Sequence, residues 1–388
     1  MFSRRLSWDQ RANSLSRLVS EKRRAGARVL DLTESNPTRA GLRYPATEIL
    51  NGLADLRALR YDPAPLGLGA AREAVAEYYG DRGASVPASR VLLAASTSEA
   101  YAYLFKLLAD PGDVILTPRP SYPLFEFLAA LESTEIRQYP LRYDGAWHMD
   151  FDALERAVTP RTRAVVVVNP NNPTGSFLKR GELQRLEELA AARDLAILSD
   201  EVFSDYGFTA HSGRVQTLAG ERRALTFSMS GLSKVAGLPQ MKLGWIVASG
   251  PGAEGALERL ELIADTYLSV STPVQAALAR MLASAGVVQD QIRERTAANL
   301  ARLREALQPS SASVLKVEGG WYAVARMPRT RSEEEWALAL LRDHDVLVQP
   351  GFFFDFESEA FLVLSLLTEA ETFAEGIERL RAALGTGW

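Results

Sequence analysis

The sequence predicts an α/β protein. It should comprise a large domain built on a mostly parallel central sheet flanked by helices, and a smaller α+β domain. Three observations lead there. Short apolar runs alternate with amphipathic stretches between residues 70 and 250. Polar residues gather where several of those runs end, the place where open parallel sheets hold their ligands. After residue 285 the pattern changes to a long charged helix followed by strands and helices in a different order.

In chain order, residues 8–26 read as a charged amphipathic helix and 34–45, E-S-N-P-T-R-A-G-L-R-Y-P, as a turn-rich loop. A helix over Ala70–Tyr79 precedes a strand, V-L-L-A-A (91–95). Ser96, Thr97 and Ser98 open the next helix, at about 99–109. Pro111–Gly112 turns into the strand V-I-L-T (114–117), and Pro118, Pro120 and Pro123 keep the following loop out of helix. The runs A-V-V-V-V-N (164–169) and L-A-I-L-S-D (195–200) are buried strands around a helix at 180–193. Strands L-T-F-S (225–228) and W-I-V-A (245–248) follow. The C-terminal region reads as helix 287–307, strand 321–325, helix 333–343, strands 346–349 and 361–366, and helix 369–384. The expected division is a large domain over 46–285 and a small one built from 1–45 and 286–388.

Composition narrows the chemistry. Of 388 residues, 47% are hydrophobic and 24% charged, with a net charge of −4, so neither a nucleic-acid nor a membrane surface is expected. There is no cysteine, which excludes disulfides and thiolate chemistry. His148, His211 and His344 lack metal-ligand spacing, and no metal is expected. No apolar run approaches the ~18 residues of a membrane span, and no signal-like segment opens the chain, so the expected location is the cytoplasm.

Only six residues are lysine. Lys22, Lys106, Lys179 and Lys316 read as solvated surface residues. Lys234 sits in F-S-M-S-G-L-S-K-V-A-G-L-P, a loop of small residues after a buried strand. A confined apolar setting lowers a lysine pKa and makes the amine a nucleophile fit for a Schiff base, although an ordinary loop lysine has the same local sequence. Asp200 closes a buried strand, either as a cap or ion-pair partner or as the counter-charge of a protonated ring nitrogen. N-P-N-N-P-T-G (169–175) suits a strand-to-helix loop, and Asn172 could donate to a phenolate oxygen. S-T-S-E-A (96–100) can aim backbone N–H groups at a phosphate.

Together these segments resemble the fold-type I pyridoxal-phosphate (PLP) enzymes, specifically the class I/II aminotransferases. The resemblance runs in order through Y-D-P-A-P-L-G-L-G-A-A-R-E-A (61–74), S-T-S-E-A, P-R-P-S-Y-P (118–123), N-P-N-N-P-T-G, S-D-E-V-F (199–203), S-G-L-S-K and K-L-G-W. It implies PLP bound as a Schiff base on Lys234, which also moves the substrate proton. It further implies that Asp200 holds the pyridinium, Asn172 contacts the 3′-oxygen, Tyr122 stacks on the ring, and Thr97, Ser98 and Lys242 hold the phosphate. Tyr61 would reach the phosphate of a neighbouring subunit, so a homodimer with shared sites is implied.

Three positions depart from the family pattern. Phe203 stands where tyrosine is usual, which removes a hydroxyl from the cofactor phenolate and should leave the imine more basic. Lys242 replaces an arginine, a point charge instead of a fork. In F-L-V-L-S-L-L (361–367), Val363 occupies the place of the arginine that clamps a substrate carboxylate. Arg39, Arg43 and Arg326 are candidate substitutes, with Arg39 preferred because it belongs to the active-site entry segment. Phe352, Phe353, Phe354, Trp321 and Tyr322 suggest an aromatic pocket or, equally, a small-domain core. The expected activity is transfer of an amino group from an amino acid or amine to a 2-oxo acid. Val363 keeps open another PLP reaction, such as β-elimination, decarboxylation, racemisation or oxidation. A PLP-binding module of a regulator would need a DNA-binding segment, and no basic region is present for one.

Overall fold

The computed structural model describes residues 2–6, 8, 11–308 and 310–385. Strand β1 (Leu30–Asp31) comes first, and eight strands then build the large sheet. They are β2 (Val91–Ala94), β3 (Val114–Arg119), β4 (Glu135–Tyr143), β5 (Trp147–Met149), β6 (Thr162–Val168), β7 (Ala196–Asp200), β8 (Thr226–Gly231) and β9 (Gly244–Ser249). Their spatial order is β2-β9-β8-β7-β6-β3-β4-β5. β9 and β5 run against their neighbours, and the other six run one way. The sheet is therefore mixed but mostly parallel, as expected.

Both of its faces are covered, which is why the central strands are apolar at nearly every position. Val166, Leu198, Phe227 and Ile246 pack with helices Thr97–Leu108 and Ala253–Asp265. On the other face, Val165, Val167 and Ile197 meet Leu186 and Ala190 of helix Arg180–Arg193. Leu93, Trp245 and Val247 meet helices Gly69–Gly80 and Thr272–Ala283.

The remaining strands are β10 (Ser313–Val314), β11 (Tyr322–Arg326), β12 (Val346–Leu347), β13 (Gln349–Pro350) and β14 (Phe361–Ser365). β10-β11-β14-β13 form an antiparallel sheet, and β1 pairs in parallel with β12. Leu15, Leu30 and Leu32 from the N-terminal segment share a core with Leu340, Phe373 and Ile377. Helix Gly286–Leu307 gives Leu300, Leu303 and Leu307 to that core, while its first turns give Val288 and Ile292 to a cluster with Phe203, Tyr206 and Trp321.

Several expected boundaries shift. The N-terminal helix is Ser14–Arg24, not 8–26, because Asn13 caps it by accepting the Ser16 N–H at 2.8 Å. Residues 9 and 10 of the expected span lie outside the described residues. β3 runs through Pro118 to Arg119, where the sequence suggests a loop. Strands β4 and β5 and helices Ala46–Leu53 and Phe125–Glu132 were not expected at all. Among the described residues no helix is long and apolar enough to cross a membrane.

Candidate active site

The site forms at the carboxyl ends of the central parallel strands. β7 ends on Asp200, and β6 runs into the loop that carries Asn172. β8 ends on Gly231, and the one-turn helix Leu232–Val235 behind it carries Lys234. Helix Thr97–Leu108 starts just beyond β2. Between them lies a solvent-open cleft lined by Lys234, Asp200, Asn172, Tyr122, Thr97 and Ser98.

Lys234 is the one cationic residue lining this cleft among the described residues. Its Nζ lies 4.7 Å from the Trp321 ring centre and 5.5 Å from that of Phe203. Burial in this apolar setting pulls its ammonium down to about 8, opposed by the charge of Asp200. The backbone is also held: the Tyr206 hydroxyl donates to the Lys234 carbonyl at 2.5 Å. Burial pushes the Asp200 carboxyl up to about 6, opposed by the Val202 N–H, the Tyr101 hydroxyl and Lys234. Burial thus works against the charge on both groups, and each offsets part of that effect on the other.

The start of helix Thr97–Leu108 leaves backbone donors free beside the cleft. Ser96 caps its helix by accepting the Glu99 N–H at 3.2 Å. The N–H groups of Thr97 and Ser98 lie in the first turn, where no intrahelical carbonyl reaches them. Gly231 and Gly244 face each other across β8 and β9. A Cβ on Gly244 would stand 3.0 Å from the Ser230 carbonyl oxygen and 3.3 Å from the Thr97 nitrogen. These glycines let two strand ends and a helix start converge.

The residues present fit PLP. The Asn172 side-chain oxygen is buried without a partner, and turning the amide over presents its NH₂ to a phenolate oxygen. Asp200 offers a carboxylate for a ring nitrogen, Lys234 an amine for an aldehyde, and the helix start N–H donors for a phosphate.

Not every residue singled out from sequence reaches this cleft. Lys242 is exposed in a left-handed conformation, two residues before the cleft-lining Gly244. Tyr61 is 78% exposed and lines a separate groove with Leu268 and Ser269. Arg39 is exposed on the turn Pro37–Arg39, four residues beyond Ser35, which does line the cleft. Arg43 and Arg326 are exposed as well. Val363 is fully buried with Val324, Phe354 and Phe361 in an apolar cluster. The phenylalanine run divides: Phe354 joins that cluster and Phe352 is exposed, so the expected aromatic pocket reduces to Tyr322, with Trp321 packed against Phe203 at 5.2 Å. Lys179 is no plain surface lysine, because it pairs with the buried Glu318 carboxylate.

Other lining residues were not singled out from the sequence. Ser35, Phe125, Val202 and Ser233 line the cleft. Ser233 was legible as the neighbour of Lys234, and the rest are placed by tertiary contacts. Tyr101 was missed too, although its hydroxyl donates to Asp200 Oδ2 at 3.1 Å. On a helix of apolar neighbours it reads as core.

Comparison with known proteins agrees with this geometry. Residues 28–380 match the family described as aminotransferase class I and II. The chain belongs to the class I and II aminotransferases. It is thus an enzyme of the PLP-dependent aminotransferase class with a fold-type I architecture. Among curated members it is 27% identical over 369 residues to a glutamate-pyruvate aminotransferase of Haemophilus influenzae, covering 92% of this chain and 90% of that protein. It is 26% identical to an LL-diaminopimelate aminotransferase of Dehalococcoides mccartyi, covering 94% of each. Among solved structures, an Escherichia coli aminotransferase aligns with a TM-score of 0.86 at 25% identity, over 100% of this chain and 98% of that one. An alanine aminotransferase of Pyrococcus furiosus shares the fold with a TM-score of 0.89 at 23% identity, over 99% of each.

Proposed function

We propose that this aminotransferase moves an amino group from an amino acid or amine to a 2-oxo acid, with PLP attached through Lys234. The observation that carries the reading is the convergence of Lys234, Asp200 and Asn172 in one cleft from three different strand ends. When bound there, PLP supplies an electron sink for the carbon beside the substrate nitrogen. Lys234 would bind the cofactor aldehyde through its amine and, once released by substrate, would carry the proton from that carbon to C4′ of the cofactor, and back in the reverse half-reaction. Asp200 pairs with the ring nitrogen, and Asn172 donates to the 3′-oxygen. Tyr122 covers one ring face. The Thr97 and Ser98 N–H groups would hold the phosphate, with Lys242 the proposed cationic partner from just outside the cleft lining.

A homodimer with shared sites completes this reading. Tyr61 has an open hydroxyl and no role in its own cleft, which suits donation to the phosphate site of a second copy. Arg39 is the proposed contact for a substrate carboxylate, since it extends the segment that lines the cleft at Ser35. Arg39→Ala should raise the donor KM several-fold, and an unchanged KM would remove that role. The relatives named glutamate-pyruvate aminotransferase make glutamate and pyruvate the first pair to test.

The test is spectroscopic. Purified protein should show a visible PLP band that Lys234→Ala loses. Amino donors should bleach the band, and a 2-oxo acid should restore it. The buried apolar surroundings of Val363 favour one second reading, another PLP reaction on the same scaffold. Release of ammonia or carbon dioxide without restoration of the band would decide for it.

A further inference from the structure

Helix Thr97–Leu108 serves the cofactor site twice. Its first turn offers the N–H groups of Thr97 and Ser98. Tyr101 lies four residues after Thr97, on the same helix face one turn along. The Tyr101 ring is buried, packed edge-on against Phe125 at 5.4 Å and against Phe105 at 5.9 Å. Packing alone would be met by phenylalanine, the residue one turn further on. The hydroxyl needs a polar partner at that depth, and its partner is Asp200 Oδ2 at 3.1 Å. The other Asp200 oxygen accepts the Val202 N–H at 3.2 Å.

We propose that Tyr101 is a positioning residue for the cofactor, holding the Asp200 carboxylate in the orientation that meets the ring nitrogen. The proposal rests on the reading that PLP occupies this cleft. A carboxylate held by one backbone donor can swing about its last side-chain torsion, whereas two donors on different oxygens fix its plane. The second donor comes from the helix that also cradles the phosphate, so one rigid element would set both the phosphate position and the angle of the carboxylate. Other groups facing Asp200 are Lys234, from the short helix after β8, and Tyr122, from the loop after β3. Tyr139 stands near Tyr101 but spends its own hydroxyl on the Val166 carbonyl at 2.8 Å. Burial keeps the Tyr101 hydroxyl protonated, hence a donor throughout the working pH range.

The experiment compares PLP affinity of wild type and Tyr101→Phe, titrating apoprotein with PLP at a series of pH values and following cofactor absorbance. The variant keeps the ring and its packing. It should bind PLP about tenfold more weakly, the size of one lost hydrogen bond to a charged group. Loss of PLP on acidification should begin at a higher pH, because a donor that favours the charged carboxylate is gone. In an Asp200→Asn background the same substitution should have no further effect, which a merely structural role would not predict. Equal affinity and equal pH profiles for wild type and variant would overturn the proposal. So would a full tenfold loss persisting in the Asp200→Asn background. Should Tyr101→Phe not fold, Tyr101→His, which keeps a donor, is compared with Tyr101→Leu, and equal affinity in those two overturns it. Wild-type protein that shows no PLP band at all would instead overturn the cofactor reading beneath it.

Discussion

At the scale of single residues, the site depends on two groups whose charged forms burial disfavours. Lys234 attacks an aldehyde only as the neutral amine, and burial brings its pKa to about 8. The neutral fraction rises with pH, so PLP attachment to apoprotein should speed up from pH 7 and level off above 8, with a midpoint near that value. Stopped-flow absorbance measures this, and a midpoint near the unperturbed lysine range would contradict the burial argument. Phe203 makes a second case. Its ring centre is 5.5 Å from Lys234 Nζ, and it offers no hydroxyl to the cofactor phenolate. Phe203→Tyr should restore that donor and lower the pH at which the visible band titrates. Lys234, Asp200 and Asn172 were legible in the sequence because the motifs that carry them follow one another in the order of the family they resemble, although each alone has an ordinary structural reading. Tyr101 was not, since a tyrosine among Tyr103, Leu104 and Phe105 matches a helix core pattern whether or not its hydroxyl has work to do.

At the scale of elements, legibility followed burial. β6 and β7 sit mid-sheet with both faces covered, so their apolar runs stand out. β4 is E-I-R-Q-Y-P-L-R-Y, lies near the sheet edge, and alternates exposed with half-buried positions around a proline. Its signal is weak because its outer face meets water. Helix Phe125–Glu132 begins two residues after the last of three closely spaced prolines, which masked it. The meeting of β8, β9 and the Thr97 helix start could not be read at all, since glycines at 231 and 244 announce a turn as readily as a close approach. A test belongs here. Gly244→Ala places a methyl 3.0 Å from the Ser230 carbonyl oxygen and 3.2 Å from the Ser96 carbonyl carbon. The helix start must give way, so PLP affinity should fall by about an order of magnitude while overpacking costs about 1–3 kcal/mol of stability in denaturant titration.

At the scale of the whole molecule, the proposed homodimer needs an apolar contact surface, and exposed apolar side chains gather near Tyr61. Leu56, Leu59 and Tyr61 are 82%, 86% and 78% exposed within one short segment, and the half-exposed Tyr267 precedes the Leu268 that shares the groove of Tyr61. If the proposed dimer forms through this segment, Leu59→Asp should shift the protein from dimer to monomer in sedimentation analysis and weaken PLP binding by withdrawing Tyr61 from the second copy's site. A dimer that survives with full PLP affinity would place the contact elsewhere. The family resemblance singled out Tyr61, but Leu56 and Leu59 could not be read as part of a patch, because apolar residues among arginines resemble any surface turn.

The 22-residue helix Gly286–Leu307 has a further consequence. Its first turns stand against Phe203, Tyr206 and Trp321, beside Lys234, and its last turns stand in the core that joins both chain termini. Neither cluster can melt without stripping one side of this shared rod. Heating the apoprotein should therefore give a single calorimetric peak whose van't Hoff and measured enthalpies agree, not two peaks. PLP should move that peak as a whole, so a ligand seated at one end of the rod is felt as thermal resistance at the other.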